Sequence, residues 1–593
     1  MKTDTLRFRD LLQKDIRLLV PLFQRPYVWN QKDQWEPFWE DIRAIADDLV
    51  QGRFRRPHFL GAIVLEQVST GAGDVETRLV IDGQQRLTTA QLVLEAFHDL
   101  CTEIGAENPR KALAKMTRID DPMADNGESL YKVWPTTVDQ EAFRLVMDAG
   151  TEAAVEAMLE GRPDLAEKPI VQGYQFFCGV IREWIDPTRG GMEKRVSELL
   201  NAVRDHMRFV VIDLEDEDDA QLIFETLNAR GTPLLPTDLV KNFIFHRARV
   251  EGKDLESLYG KYWQPFDEWD DWWRKQVGRG HAQRARIDLF LQAFLTVQTR
   301  GEVPVTHVYA TCRDHIVKSG ESAESYLRKL HDSAEIYGTF ESQDPATPAG
   351  RFFRAAEVLD VTSIMPVALE LFTRFQDQPK ILNPVLRDIE SFLIRRMVCG
   401  LNTRGYNRLF VEMLDHIKDA SALQSGIRRF LLKSDADSSR WPTDEEFRDA
   451  WVTTPVYKIL VRKRVKFLLE CLEREMRTAK SETFTGKLNI EHLLPQDWLK
   501  HWPLPWDASD DAAVSARNHA LQTVGNLTLL TTSLNPSVSN GSWAKKCKEI
   551  LKYSALSLNR DLINHSEWDE SAILKRSKAL FQHARKAWPH AAP

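Results

Sequence analysis

Glu491 and His492 stand side by side at the end of a short β-rich run, NIEHLLPQDW (Asn489 to Trp498), and Pro495 breaks the extended segment just after them. A second run, VGNLTLLTTSLN (Val524 to Asn535), carries Asn526 and Asn535, with Asn540 and Lys545 beyond it. Histidine is the side chain best suited to take a proton near neutral pH, and carboxylate and carboxamide oxygens are the donors a hard divalent cation prefers. Hydrolysis of a phosphate ester needs a general base, a group that orients it and a cation, and these residue types can supply all three. Upstream, KILVRKRVKFLL (Lys458 to Leu469) holds Lys458, Arg462, Lys463, Arg464 and Lys466 with no acid among them. A solvated helix face and a contact with phosphates both explain such a run.

Near the N-terminus the strand RLVID (Arg78 to Asp82) runs into GQQRLTTAQLVLEAF. A turn at Gly83 delivers the chain into a helix that begins with Gln84, Gln85 and Arg86, followed by Thr88 and Thr89. Free backbone N–H groups and the positive end of the helix dipole suit an anion there, and Arg86 can add a bidentate contact. An ordinary turn with Asp82 as N-cap explains the same residues. No GxxxxGK[ST] occurs, so this is not a Walker P-loop. Gln24, Arg25, Tyr27 and Trp29 place an amide, a guanidinium and two aromatic surfaces within six residues; they either read a ligand or pack on the sheet.

At 593 residues the chain exceeds what one core supports, and two to four domains are expected. Six scattered cysteines without a CxxC pair argue against a disulfide framework, a zinc ribbon or an iron–sulfur site, and fit a reducing cytoplasm. The first residues lack the layout of a signal peptide, and no run of about 18 apolar residues occurs, so a soluble cytoplasmic protein with no membrane segment is expected. A net charge of -8 speaks against nonspecific coating of nucleic acid but leaves room for a local basic surface.

The elements that must position these residues can be read from periodicity. Short β-rich runs (RLLVPLF, HFLGAIVLEQV, ETRLVID) alternate with helices over Asp33 to Leu49 and Leu87 to Leu100, which predicts an α/β unit. The strand RFVVIDL (Arg208 to Leu214), an acidic turn and a helix over Ala220 to Asn228 carry that unit to about residue 248, with residues 102 to 205 as a helical insertion. Residues 249–432 read as a helical spacer, with segments such as Arg286 to Val297 and Asp388 to Leu401. The polar stretch KSDADSSRWPTDEE (Lys433 to Glu446) has linker composition and opens a last domain, 433–593.

The strings EHLLPQ, GNLTLL and SNGSWAKK, in that order, resemble the HNH, or His-Me finger, nucleases in the form carried by GmrSD-type restriction endonucleases. DGQQRLTT is the hallmark of the N-terminal domain of that family, a domain that resembles the ParB and sulfiredoxin fold. VPLFQRPYVWN, HFLGAIVL and FETLNARGTPLLPTDLVKNF are further landmarks, so the resemblance touches nearly the whole chain.

It implies an α+β multidomain, predominantly helical protein with a ββα-metal nuclease domain at its C-terminal end. By the same resemblance His492 is the base, Asn526 orients its imidazole, Glu491 and Asn535 hold Mg²⁺ or a similar ion, and Asn540, Lys545, Arg462 and Arg464 contact phosphates. Glu491 departs from the Asp more usual in HNH enzymes. Asp82, Gly83, Gln84, Gln85 and Arg86 are implied to bind and hydrolyse an NTP. Gln24, Arg25, Tyr27 and Trp29 correspond to a region implicated in sensing DNA modification in SspE-like relatives, whereas GmrSD enzymes act on glucosylated DNA.

The expected protein is an NTP-regulated, modification-dependent DNA endonuclease of type IV restriction, active in anti-phage defence, with a homo-oligomer left open. Its rivals are a ParB-like nucleotide-dependent DNA-binding regulator with an inactive nuclease domain, and an RNA-cleaving toxin. Singly, His492 also reads as a core histidine and Asn526 as a turn residue after Gly525; only the ordered set is specific.

Overall fold

The computed structural model describes residues 2–53, 56–68, 75–121, 127–186, 191–215, 235–268, 270–278, 283–417, 419–434, 436–477, 487–499, 502, 504, 511–531 and 541–591. By packing, the chain divides into two compact units, Met1–Asp267 with Gly320–Leu327, and Glu268–Ser319 with Arg328–Pro593. The first division of the chain falls at residue 267. Helices predominate, with a small mixed sheet.

The first unit is built on six strands: β1 (Lys2–Arg7), β2 (Arg17–Leu19), β3 (His58–Gln67), β4 (Thr77–Asp82), β5 (Val133–Trp134) and β6 (Met207–Leu214), in the order β1-β6-β3-β4-β2-β5. The pairs β1/β6 and β3/β4 are antiparallel, and β3/β6, β2/β4 and β2/β5 are parallel. The apolar runs of β3 and β4 are continuous because both sheet faces are covered. Ile63, Leu65 and Val80 join the main core on one face, while Val64, Leu79 and Ile81 form a second cluster on the other.

The helix Gln84–Glu103 lies within that main core, with the helices Glu36–Val50 and Pro169–Trp184 packed into the same cluster. The described residues between Glu107 and Asn201 are mostly helical, with β5 among them. The expected helix over Ala220 to Asn228 lies outside the described residues. Strand β1 was not legible: KTDTLR is polar and mostly exposed, and it is extended because β6 pairs with it along one edge.

In the second unit a short ribbon, β7 (Gln276–Val277) with β8 (Arg284–Ala285), precedes a run of helices that includes Arg286–Thr299, Pro348–Leu359, Pro379–Val398 and Arg462–Met476. The C-terminal part holds an antiparallel pair, β9 (Leu488–His492) and β10 (Leu527–Thr531), followed by the helices Trp543–Tyr553 and Glu570–Ala587. The stretch Lys433 to Glu446 is not a free linker. Arg395 and Arg396, both 0% exposed, draw its main chain inward. Arg396 donates to the carbonyls of Asp437, Ser438 and Arg440, and Arg395 donates to Pro442 O and to the Asp444 carboxylate. Buried guanidiniums need these partners, and a composition rule cannot see them. The six cysteines are free, and among the described residues no helix is long and apolar enough to cross a membrane.

The turn from β4 into the helix Gln84–Glu103 requires glycine. Gly83 has φ 95°, and a Cβ there would collide with the Ile63 side chain. Gly83→Ala is expected to destabilise the first unit by roughly 1–3 kcal/mol, read as a lower urea midpoint; an unchanged midpoint contradicts this account of the turn.

Candidate active site

His492 ends β9, opposite Leu527 in register, and Asn526 stands immediately before β10. The Asn526 amide does not touch the imidazole. Its Oδ1 accepts from Leu494 N at 2.8 Å and from the Trp568 indole at 3.1 Å, and its Nδ2 donates to Leu494 O at 2.8 Å and Leu521 O at 3.2 Å. All four hydrogen-bonding positions of the amide are thus filled. Asn526 O also accepts from Leu493 N at 2.8 Å. The orienting role expected of Asn526 is therefore corrected: it clamps the chain that leaves His492 and acts on the imidazole only through the backbone. Gly525 lets this happen, because a Cβ there would run into Ile573 O and Ser577 of the last helix. From that helix the fully buried Arg576 donates to Gly525 O and Leu527 O, both at 2.8 Å.

Other side chains face the imidazole. The Tyr457 ring lies 4.3 Å away, edge to face at 82°, and its backbone N–H bonds to Gln522 O at 3.0 Å. Gln496 Nε2 lies 3.3 Å from His492 Nε2, and the Gln522 side chain stands near the ring. Over the Tyr457 ring sits the Arg462 guanidinium, 3.3 Å from its centroid. Burial, then the nearby charges of Lys546 and Arg462, push the His492 pKa down to about 4, with the Gln522 side chain opposing. At neutral pH the imidazole is unprotonated and able to accept a proton.

Glu491 is bound elsewhere. The Lys546 ammonium, 0% exposed, lies 2.5 Å from Glu491 Oε1 and 2.6 Å from His492 O. Burial drives the carboxyl pKa up and the ammonium pKa down, and each charge restrains the shift of the other. Asn535 and Asn540 lie outside the described residues. Among the described residues the one gathering of three potential His, Cys or acidic ligands is Glu95, His98 and Asp99 in the first unit, none of them near His492 in the chain. The described residues around His492 therefore do not by themselves fit a divalent ion: the carboxylate expected to hold it carries an ammonium instead.

The basic run divides in two. Lys463 and Arg464 bond to the end of the helix Pro348–Leu359, Lys463 with Asp360 at 2.8 Å and Arg464 with Leu359 O at 2.8 Å. Arg464 is thus corrected from phosphate contact to helix-end partner, while Arg462 stays beside His492. Lys545 is exposed. Lys546, Tyr457, Gln496 and Gln522 were missed by sequence reasoning. Only Lys546 carried a signal, since Trp543, Lys546, Cys547 and Ile550 recur at helical spacing on one buried face.

In the first unit the DGQQR turn and the segment Gln24 to Trp29 interlock. Gln84 Nε2 donates to Arg25 O at 3.0 Å; Gln85 donates to Pro26 O at 3.0 Å and accepts from Val28 N at 2.9 Å. Gln24 donates to Val80 O and Ile81 O. Tyr27 is buried, its hydroxyl 2.6 Å from the Thr89 hydroxyl and accepting from the Trp35 indole. Burial raises its pKa well above the ordinary tyrosine range. Trp29 packs edge-on against Phe38. Gln24, Tyr27, Gln84 and Gln85 are therefore scaffold, which corrects the roles expected of their side chains. Val28 is exposed, and Arg25 and Trp29 are half-buried. No side chain caps the helix that follows Gly83, and Arg86 reaches back over Gly61 to Ala62 O at 3.0 Å.

Residues 8–245 match the family described as GmrSD restriction endonuclease, N-terminal domain, and residues 441–583 match GmrSD restriction endonucleases, C-terminal domain. Both matches define a restriction endonuclease, a hydrolase whose substrate is DNA and a class that generally uses divalent metals. With both domains in one chain, the protein belongs to the GmrSD family. No curated protein matches the chain.

Two measurements check this geometry. An NMR titration of His492 is expected to show a midpoint of about 4 in place of 6.5, and Arg462→Gln should move it upward; an unperturbed midpoint contradicts the environment described. Because the folded value lies below the unfolded one, the unfolded chain binds the extra proton first, so His492 costs stability progressively as pH falls from 6.5 towards 4. Asn526→Ala leaves three backbone groups and an indole without their partner, at roughly 1–3 kcal/mol per buried unsatisfied group. It should lower the thermal midpoint by several degrees, and a midpoint equal to wild type contradicts the clamp.

Proposed function

We propose that the protein is a modification-dependent, NTP-regulated DNA endonuclease of the type IV restriction kind, and that His492 activates the water that cleaves the phosphodiester. The observation that carries this reading is the neutral imidazole held at the end of β9 between the Tyr457 ring and Gln496, beside the Arg462 cation. A ring nitrogen takes the proton as the water oxygen attacks phosphorus, and a base already unprotonated at neutral pH needs no prior deprotonation. Arg462 and the exposed Lys545 supply positive charge for the DNA backbone. The succession β9, β10, helix Trp543–Tyr553 supports a His-Me finger of the ββα type. A divalent ion in this site requires ligands beyond the described residues, Asn535 among them, or release of Glu491 from Lys546.

In the first unit, the uncapped helix start after Gly83, with Asp82 and Arg86 on either side, supports an anion cradle for the NTP phosphates. Gln84 and Gln85 contribute there through backbone N–H groups, their side chains being engaged with Arg25, Pro26 and Val28. Exposed Val28 with Arg25 and Trp29 is the surface left to sense modified bases. The Gln24 to Trp29 segment that carries it is tied directly to the phosphate turn, which suits coupling of sensing to nucleotide.

His492→Ala should abolish cleavage while fold and DNA binding persist, because the base acts in the transition state; retained near-wild-type cutting defeats the assignment, and DNA binding without cutting in the wild type favours a regulator. Arg86→Ala removes a charge-assisted contact and should weaken NTP binding by about tenfold to a hundredfold. Equal affinity in a nucleotide titration would make the turn scaffold only.

A further inference from the structure

Lys545 and Lys546 are neighbours with opposite fates: the first is exposed and the second is 0% exposed. Lys546 lies in the first turn of the helix Trp543–Tyr553, where the helix dipole disfavours a cation, and complete burial of an ammonium is costly without partners. Its partners include two groups of the end of β9, Glu491 Oε1 and His492 O. Glu491 itself is only 13% exposed, so its carboxylate depends on the ammonium as much as the reverse. A pair of this kind holds geometry more than it adds stability.

We propose that Lys546 is the resident cation of the nuclease site: it neutralises Glu491, fixes the carbonyl of His492, and competes with any divalent ion for the Glu491 carboxylate. Lys546 and Glu491 are then positioning residues. They set the strand end from which the imidazole projects, and the site accepts a divalent ion at Glu491 only by displacing the ammonium. This rests on the reading of His492 as the base, since only then does the strand end need fixing.

The test is a calorimetric titration of the full chain with Mn²⁺, without DNA, on wild type and variants. Lys546→Met, similar in shape and uncharged, should bind Mn²⁺ about tenfold more tightly or better, because the competing charge is gone. Glu491→Gln in the otherwise wild-type chain should leave Mn²⁺ affinity unchanged, the double variant should lose the gain, and Lys546→Arg should behave as wild type. No gain in Lys546→Met, or a tenfold loss in Glu491→Gln, overturns the proposal.

Should Lys546→Met not fold, thermal unfolding of Glu491→Gln, Lys546→Gln and their combination decides. Mutual dependence makes the double variant at least as stable as the weaker single, whereas additive losses overturn it. Cleavage enters neither readout. A chain that fails to cut DNA yet shows these shifts sinks the nuclease reading and leaves the Lys546–Glu491 pair in place.

Discussion

The four hydrogen bonds of the Asn526 amide are the constraint on which the His492 end of β9 in the second unit depends. They tie both backbone groups of Leu494 and the Trp568 indole to one side chain, and that side chain precedes β10 directly. The chain leaving His492 therefore cannot move without breaking a buried, saturated amide. Arg576 applies the same logic from the other side, holding Gly525 O and Leu527 O around Asn526. Arg576 is buried, and that burial lowers the pKa of its guanidinium to about 10.

Two strands of five residues are too few to hold a site by their own ladder. Polar side chains buried beneath them do so instead. Asn559 donates to Leu529 O, Lys546 reaches Glu491 and His492 O, and Glu473 accepts from the backbone N–H groups of Ser557 and Leu558. Every one of these bonds joins segments far apart in the chain. In the first unit the glutamines play the corresponding part: Gln24, Gln84 and Gln85 stitch the segment Gln24 to Trp29 to the end of β4 and the helix after it.

What was legible in the sequence follows from this division. Runs with their own period were readable: β3, β4, β6, the helix starting at Gln84 and the long helices of the second unit all come from local apolar patterning. The clustering of His492 and Asn526 was readable from their matching strings. The partners were not. Asn526 was expected on the imidazole and is found on Leu494; Gln24 and Tyr27 could have read a ligand or packed on the sheet, and they are buried. Amides and hydroxyls carry no periodic signal that tells a ligand from a distant backbone carbonyl. Lys433 to Glu446 misled for the same reason, since its polar composition conceals two buried arginines 37 or more residues earlier in the chain. Tyr457 stands in a basic stretch and reaches His492 only through tertiary packing.

Under the proposed function one unit senses modified DNA and the other cuts it, with His492 as the cutting residue. Cleavage of three otherwise identical DNA duplexes tests this most directly: one with glucosylated hydroxymethylcytosine, one with phosphorothioate linkages and one unmodified, each incubated with wild-type protein, Mg²⁺ and NTP. Cutting of one modified duplex with the unmodified one left intact is the predicted result. Equal cutting of all three, or binding to all three with no cutting, would contradict it.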